Sequence, residues 1–148
     1  MTGGCELLLV RHASSVRQGA FLGHSDVGLA PAAAAESTAL AAALAHWPFD
    51  LLVSSDLRRC RETAQRLFPD RPIRFEPAWR EYDSGAWTLR RHDELLAGPE
   101  ARRYQAWLDD PEALAPPGGE RMDRFRRRIF DAADALARAH AGQRILVV

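Results

Sequence analysis

Two rhythms of apolar residues run along this 148-residue chain. Short apolar runs, within residues 6–10, 51–54 and 145–148, stop abruptly at polar residues or at the chain end. That is the pattern of strands buried on both faces of a parallel sheet. Arg74-Phe75 predicts a third, shorter strand before the last run, with Pro72 and Pro77 close on either side. Between the runs lie helix patterns. Residues 32–45 are Ala-rich, and Pro31 is expected in the first turn of that helix. Ser55 or Asp56 is placed to cap a helix running through Leu67. Residues 120–141 carry Met122, Phe125, Ile129, Ala133 and Leu136 at three- and four-residue steps, and Gly142 follows as a helix stop. Residues 13–30 predict a loop. Residues 79–118 predict an excursion away from the sheet, with short helices at 92–96 and 100–108, closed by the Pro116-Pro117-Gly118-Gly119 break. Strands alternating with helices imply an α/β fold with a mostly parallel sheet, in one domain spanning residues 1–148.

In a parallel sheet all strand carboxyl ends open on one edge, where ligands bind. The first run delivers Arg11-His12 into the small polar loop Ala13-Ser14-Ser15. The second delivers Ser54-Ser55-Asp56 and then Arg58, Arg59 and Arg61. Arg59 is expected to face His12 from the first turn of its helix. A helix start adds amide donors and a favourable dipole for an anion. A guanidinium beside an imidazole suits a phosphate.

Composition narrows the choice of chemistry. Formal net charge is zero, and all twenty basic residues are Arg. That balance argues against a general nucleic-acid or acidic-membrane binder, but not against a local anion site. Cys5 and Cys60 make no disulfide framework and lack metal-ligand spacing, so both read as small packed thiols. No signal peptide or long apolar span stands out, and a cytoplasmic location is expected. No metal and no cofactor are expected. His46 and His140 read as helix-end residues, and His92 as an ordinary surface histidine. The run Arg121, Arg124, Arg126, Arg127, Arg128 reads as a solvated helix face. Trp79, Trp87 and Trp107 read as core or rim packing.

Several ordered motifs resemble the histidine phosphatase (phosphoglycerate mutase-like) superfamily. Leu9-Val10-Arg11-His12-Ala13 resembles its Arg-His-Gly signature, with Ala13 in the Gly position. Residues 55–64 resemble its Ser-x-Leu-x-Arg-Ala-x-x-Thr-Ala pattern, which puts the phosphate-binding arginine at Arg59. Residues 79–87 resemble Leu-x-Glu-x-x-x-Gly-x-Trp, which makes Glu81 the proton donor. Ser15 and Gln18 match polar residues of the loop after the nucleophile. Phe21-Leu22-Gly23-His24 resembles a stretch of the α-ribazole-5′-phosphate phosphatases of cobalamin synthesis, and implies substrate contacts at Gly23 and His24. Arg90-Arg91-His92, Tyr104-Gln105-Ala106-Trp107, Gly119-Glu120 and Phe125-Arg126-Arg127-Arg128 fit the same subfamily.

The resemblance implies a three-layer α/β/α fold with a helical excursion over the active site. It implies phosphomonoester hydrolysis through a phosphohistidine on His12, with Arg11, Arg59, Ser15 and Gln18 holding the phosphate and Glu81 serving the leaving oxygen. The expected partner is a small phosphorylated substrate, α-ribazole 5′-phosphate before others, for a monomer or homodimer. The alternatives are a broad-specificity phosphatase, a phosphoglycerate mutase, or a defective homologue that only binds phosphorylated ligands. The last is motivated by the family's second catalytic histidine, which falls one or two residues past Val148. A strand that stops there is expected to be the cut edge of a longer chain. Ala13 adds a Cβ beside the phosphate loop, at a cost if the backbone there needs positive φ.

Overall fold

The structure, a computed structural model, describes residues 3–148. Four strands form one sheet: β1 (Glu6–Leu9), β2 (Leu51–Ser54), β3 (Arg74–Phe75) and β4 (Arg144–Val147), in the order β1-β4-β2-β3. Every pairing is parallel, with Leu8 opposite Leu146 and Leu146 opposite Leu52. Two-residue alternation then sorts the side chains. Leu52 and Leu146 pack on one face with Leu8, Val10 and Ala64; Val53, Ile145 and Val147 pack on the other with Leu7, Trp79 and Leu136.

Helices α1 (Ala33–Leu44) and α2 (Arg58–Leu67) pack against one another, and α2 and the end of α1 cover the first face. Helix α5 (Met122–Ala139) covers the second, beside the 3₁₀ turn Pro77–Trp79. The result is the expected three-layer α/β/α arrangement. No helix among the described residues is long and apolar enough to cross a membrane.

Some expectations shift. Strand β1 is not buried on both faces. It pairs only with β4, and Leu9 is 65% exposed; the strand covered on both faces is β4, flanked by β1 and β2. Pro31 lies ahead of α1, whose Ala32 is already helical. Neither Ser55 nor Asp56 caps α2. Its Arg58 amide instead donates to Asp26 Oδ1 at 2.7 Å, a carboxylate brought in by the 13–30 loop, while the Leu57 amide donates to Ser55 Oγ at 3.3 Å.

The excursion contains α3 (His92–Ala97) and α4 (Ala101–Asp109), built around buried Trp87, Leu95 and Tyr104. Phe21 of the 13–30 loop stands edge-on to Tyr104 and Trp107, 5.9 and 6.1 Å between centroids. The Leu89 amide donates to the Phe21 carbonyl at 2.7 Å, and the Phe21 amide to the Arg90 carbonyl at 3.0 Å. Loop and excursion therefore form one unit. Gly85 locks that unit to the Pro/Gly break. Its φ is +51°, and a Cβ there would run into the Pro117 carbonyl and the Gly119 amide. Gly142 also has positive φ, +77°, but faces open space. Gly85→Ala is therefore expected to cost about 2 kcal/mol or more, from strain plus collision, and Gly142→Ala only about 1 kcal/mol from strain. Urea unfolding of both variants checks this; equal losses would sink the steric account.

Candidate active site

At the carboxyl edge of the sheet lies a cavity of about 410 Å³ lined by Arg11, His12, Ala13, Ser14, Ser15, Arg17, Gln18, Gly19, Ala20, Leu22 and Glu81. Strand β1 supplies its first wall by ending just before Arg11-His12. The 13–30 loop supplies most of the rest. It is held in shape by a bridge between Ser15 and Leu29 and by the Leu29 amide donating to Glu62 Oε2 of α2 at 2.9 Å.

His12 is held in this cavity by the backbone of the next residue. Its Nδ1 lies 2.7 Å from the Ala13 carbonyl oxygen. A carbonyl only accepts, so Nδ1 carries the hydrogen and Nε2 keeps its lone pair. Burial, above all, lowers the His12 pKa below its ordinary 6.5; the Ala13 bond works against that, and the nearby Arg59 charge works with it. The neutral imidazole is thus the favoured form at neutral pH. The Ala13 amide is held in turn by Thr63 Oγ1 of α2 at 3.0 Å, and Thr63 donates to the Arg59 carbonyl at 2.7 Å. Ala13 costs no backbone strain, since Leu89 is the only non-glycine residue with positive φ among those described.

Arg59 is wholly buried. Its Nη1 donates to the Ser25 carbonyl at 2.9 Å, and its Nη2 to the Gly23 carbonyl at 2.9 Å and to Glu81 Oε2 at 2.8 Å. It therefore lies behind Glu81 rather than on the cavity surface. Its buried Nε has no hydrogen-bond partner in the protein. Glu81 reaches the cavity from a segment pinned at several points. Arg80 makes a two-pronged pair with Asp56, at 2.7 and 2.6 Å, which holds the Asp56 carboxyl below its usual range.

The structure thus brings Arg11, His12, Ser15, Gln18 and Glu81 together in one cavity, with Arg59 directly behind. Gly23 and His24, expected against the substrate, do not line it. Gly23 gives its carbonyl to Arg59, and His24 Nε2 lies 2.9 Å from the Glu81 backbone carbonyl. The start of α2 offers no free first amide to an anion, because Asp26 occupies it. Two residues that the sequence left without a role sit at the site, and a third, Arg128, leaves the solvated helix face expected for it because the fold brings it against the backbone before Glu81. Arg17 lines the cavity, Thr63 links it to α2, and Arg128 bonds the backbone beneath Glu81. Thr63 and Arg128 both lie inside motifs; what those motifs bind is visible only once the chain is folded.

The remaining residues fall into structural roles. Trp87 is buried, Trp107 packs against it at 5.5 Å, and Trp79 packs under the sheet. His92 Nδ1 lies 2.7 Å from Tyr104 Oη. Cys60 packs into the first core, and burial raises its thiol pKa. No cluster of three or more His, Cys, Asp or Glu residues suited to a metal comes together among the described residues. A cavity with a neutral, oriented imidazole, an exposed guanidinium, small hydroxyls and a carboxylate is equipped to bind an anion and transfer a phosphoryl group.

Comparison with known proteins agrees. Residues 7–148 match the model of the histidine phosphatase superfamily (branch 1). The adenosylcobalamin/alpha-ribazole phosphatase of Salmonella typhimurium is 31% identical over 146 residues, covering 96% of this chain and 72% of that protein. The Escherichia coli protein of the same name is 30% identical, covering 96% of this chain and 71% of its own length. Among solved structures, the alpha-ribazole phosphatase of Shigella flexneri superimposes with a TM-score of 0.85 at 30% identity, over 96% of this chain and 72% of that one. A mycobacterial glucosyl-3-phosphoglycerate phosphatase gives 0.84 at 27% identity, over 96% and 74%. The chain belongs to the histidine phosphatase superfamily, branch 1, and is a phosphatase.

Proposed function

We propose that the chain hydrolyses phosphomonoesters through a phosphohistidine on His12, with α-ribazole 5′-phosphate as its substrate. The observation that carries the chemistry is the 2.7 Å bond from His12 Nδ1 to the Ala13 carbonyl inside an arginine-lined cavity. It leaves Nε2 as the nucleophilic nitrogen. In the first step Nε2 bonds to phosphorus in line with the leaving oxygen, the P–O ester bond breaks, and a protonated Glu81 gives its proton to that oxygen. In the second, water attacks the phosphohistidine, Glu81 takes the water proton, and the N–P bond breaks to release phosphate. The Ala13 carbonyl steadies the positive ring of the intermediate.

Phosphoryl transfer passes through a loose transition state, so held charge does most of the work. Arg11 supplies it at the cavity wall, and Ser15 and Gln18 add hydrogen bonds to the phosphate. The motif assigns Arg59 to the phosphate as well; it lies behind Glu81, with its Nε free of any protein partner, and adds its positive charge to the site. Relatives near 30% identity whose names specify alpha-ribazole, together with the motifs running the length of the chain, support the substrate.

Phosphate release from α-ribazole 5′-phosphate, 3-phosphoglycerate and a generic aryl phosphate tests this directly. The first is expected to be fastest, and His12→Ala to remove at least about a thousandfold of the rate. Similar rates on all three would overturn the substrate but not the chemistry. Phosphate binding without turnover would favour a ligand-binding homologue, and isomerisation of 3-phosphoglycerate a mutase.

The His12 ring titration gives an independent check. Burial favours the uncharged ring, so its midpoint by NMR, in phosphate-free protein, is expected below 6.5. A midpoint above 6.5 would contradict the neutral nucleophile.

A further inference from the structure

We propose that Arg128 is a positioning residue for Glu81: anchored on Glu120, its guanidinium sets the backbone from which Glu81 reaches the cavity. The proposal rests on Glu81 as the proton donor of the reading above.

Arg128 lies on α5, in an arginine-rich stretch whose other members are solvated or paired at the surface. Arg121 pairs with Asp123, and Arg126 with Glu112. Arg128 differs from these. A guanidinium has five N–H donors in a rigid fork, and Arg128 makes five hydrogen bonds. Nη1 donates to the Ala78 carbonyl at 2.9 Å and the Arg80 carbonyl at 2.8 Å. Nη2 donates to the Glu81 carbonyl at 3.3 Å and to Glu120 Oε2 at 2.8 Å, and Nε donates to Glu120 Oε1 at 3.1 Å. Three carbonyls within four residues are thus gathered on one planar group. Glu120 aims that group, and the Glu120 amide donates to the Asp83 carbonyl at 2.9 Å, closing the frame on the far side of Glu81. His24 adds a second donor at the Glu81 carbonyl.

Geometry rather than charge is what this fork supplies. Arg128 does not line the cavity that holds His12; it holds the peptide from which the Glu81 carboxyl extends. Misplacing a proton donor by about 1 Å costs on the order of a hundredfold in rate. That loss falls only on leaving groups that need a proton. An alkyl alcohol needs one; 2,4-dinitrophenolate leaves as a stable anion. A scaffold role alone would lower both rates together.

The test is kcat/KM for α-ribazole 5′-phosphate and 2,4-dinitrophenyl phosphate in the full chain, with the wild type, Arg128→Gln, Glu81→Gln and the double variant. Arg128→Gln is expected to lose about a hundredfold on the alkyl ester and less than about threefold on the aryl ester. The double variant should be no slower on the alkyl ester than Glu81→Gln alone, since both act through one group. Glu120→Gln removes the anchor's charge but keeps the fork. It should show the same selectivity in smaller measure, and serves if Arg128→Gln does not fold. Equal losses on both substrates would overturn the proposal and leave Arg128 a scaffold residue. Should Glu81→Gln itself not discriminate between the esters, the donor reading falls and this proposal falls with it.

Discussion

The site depends on one buried cation. Arg59 is wholly enclosed and divides its terminal nitrogens among the Ser25 carbonyl, the Gly23 carbonyl and the Glu81 carboxylate. Leaving such a charge without partners costs about 3–5 kcal/mol, so the three acceptors are bound as firmly as the arginine itself. They come from two stretches remote in sequence from Arg59 in the first turn of α2: the 13–30 loop and the segment after β3. One guanidinium therefore sets the spacing between the cavity loop and the Glu81 carboxylate at the cavity wall.

A second tie couples that frame to the imidazole. Thr63 sits one turn after Arg59 on α2, accepts the Ala13 amide and donates to the Arg59 carbonyl. Ala13 in turn holds His12 through its carbonyl. The chain from Arg59 to Thr63 to Ala13 to His12 runs through backbone groups as much as side chains. That explains why Ala is accepted where the family has Gly: the needed groups are the amide and the carbonyl, and the backbone there is unstrained. It also explains the four-residue interval between Arg and Thr, which puts both on the face of α2 turned toward the loop.

The excursion does a different job. Its aromatic cluster holds Phe21 and so fixes the middle of the 13–30 loop. Arg128 and Arg80 then pin the segment bearing Glu81 from two sides, one to α5 and one to Asp56. The cavity is lined by this loop, by the end of β1 and by Glu81 of this segment.

The linear pattern was enough to read four strands, five helices and the parallel sheet, because burial periodicity and Gly/Pro breaks are local properties of a chain. A strand end also singled out Arg11 and His12, and the family resemblance Glu81, and the fold brings all three to one cavity. Three-dimensional placement decided the rest. Nothing local distinguishes Arg128 from Arg124 or Arg127, but only Arg128 meets three carbonyls from some 50 residues away. His24 reads as a substrate contact until the fold turns it onto the Glu81 carbonyl. Leu9 reads as core until the strand order leaves β1 at an edge, and Ser55 reads as a helix cap until Asp26 arrives from another loop. Sequence determined which candidate groups the chain carries; the tertiary structure decided which of them face the cavity, because hydrogen bonds between distant segments are made only when the chain has folded.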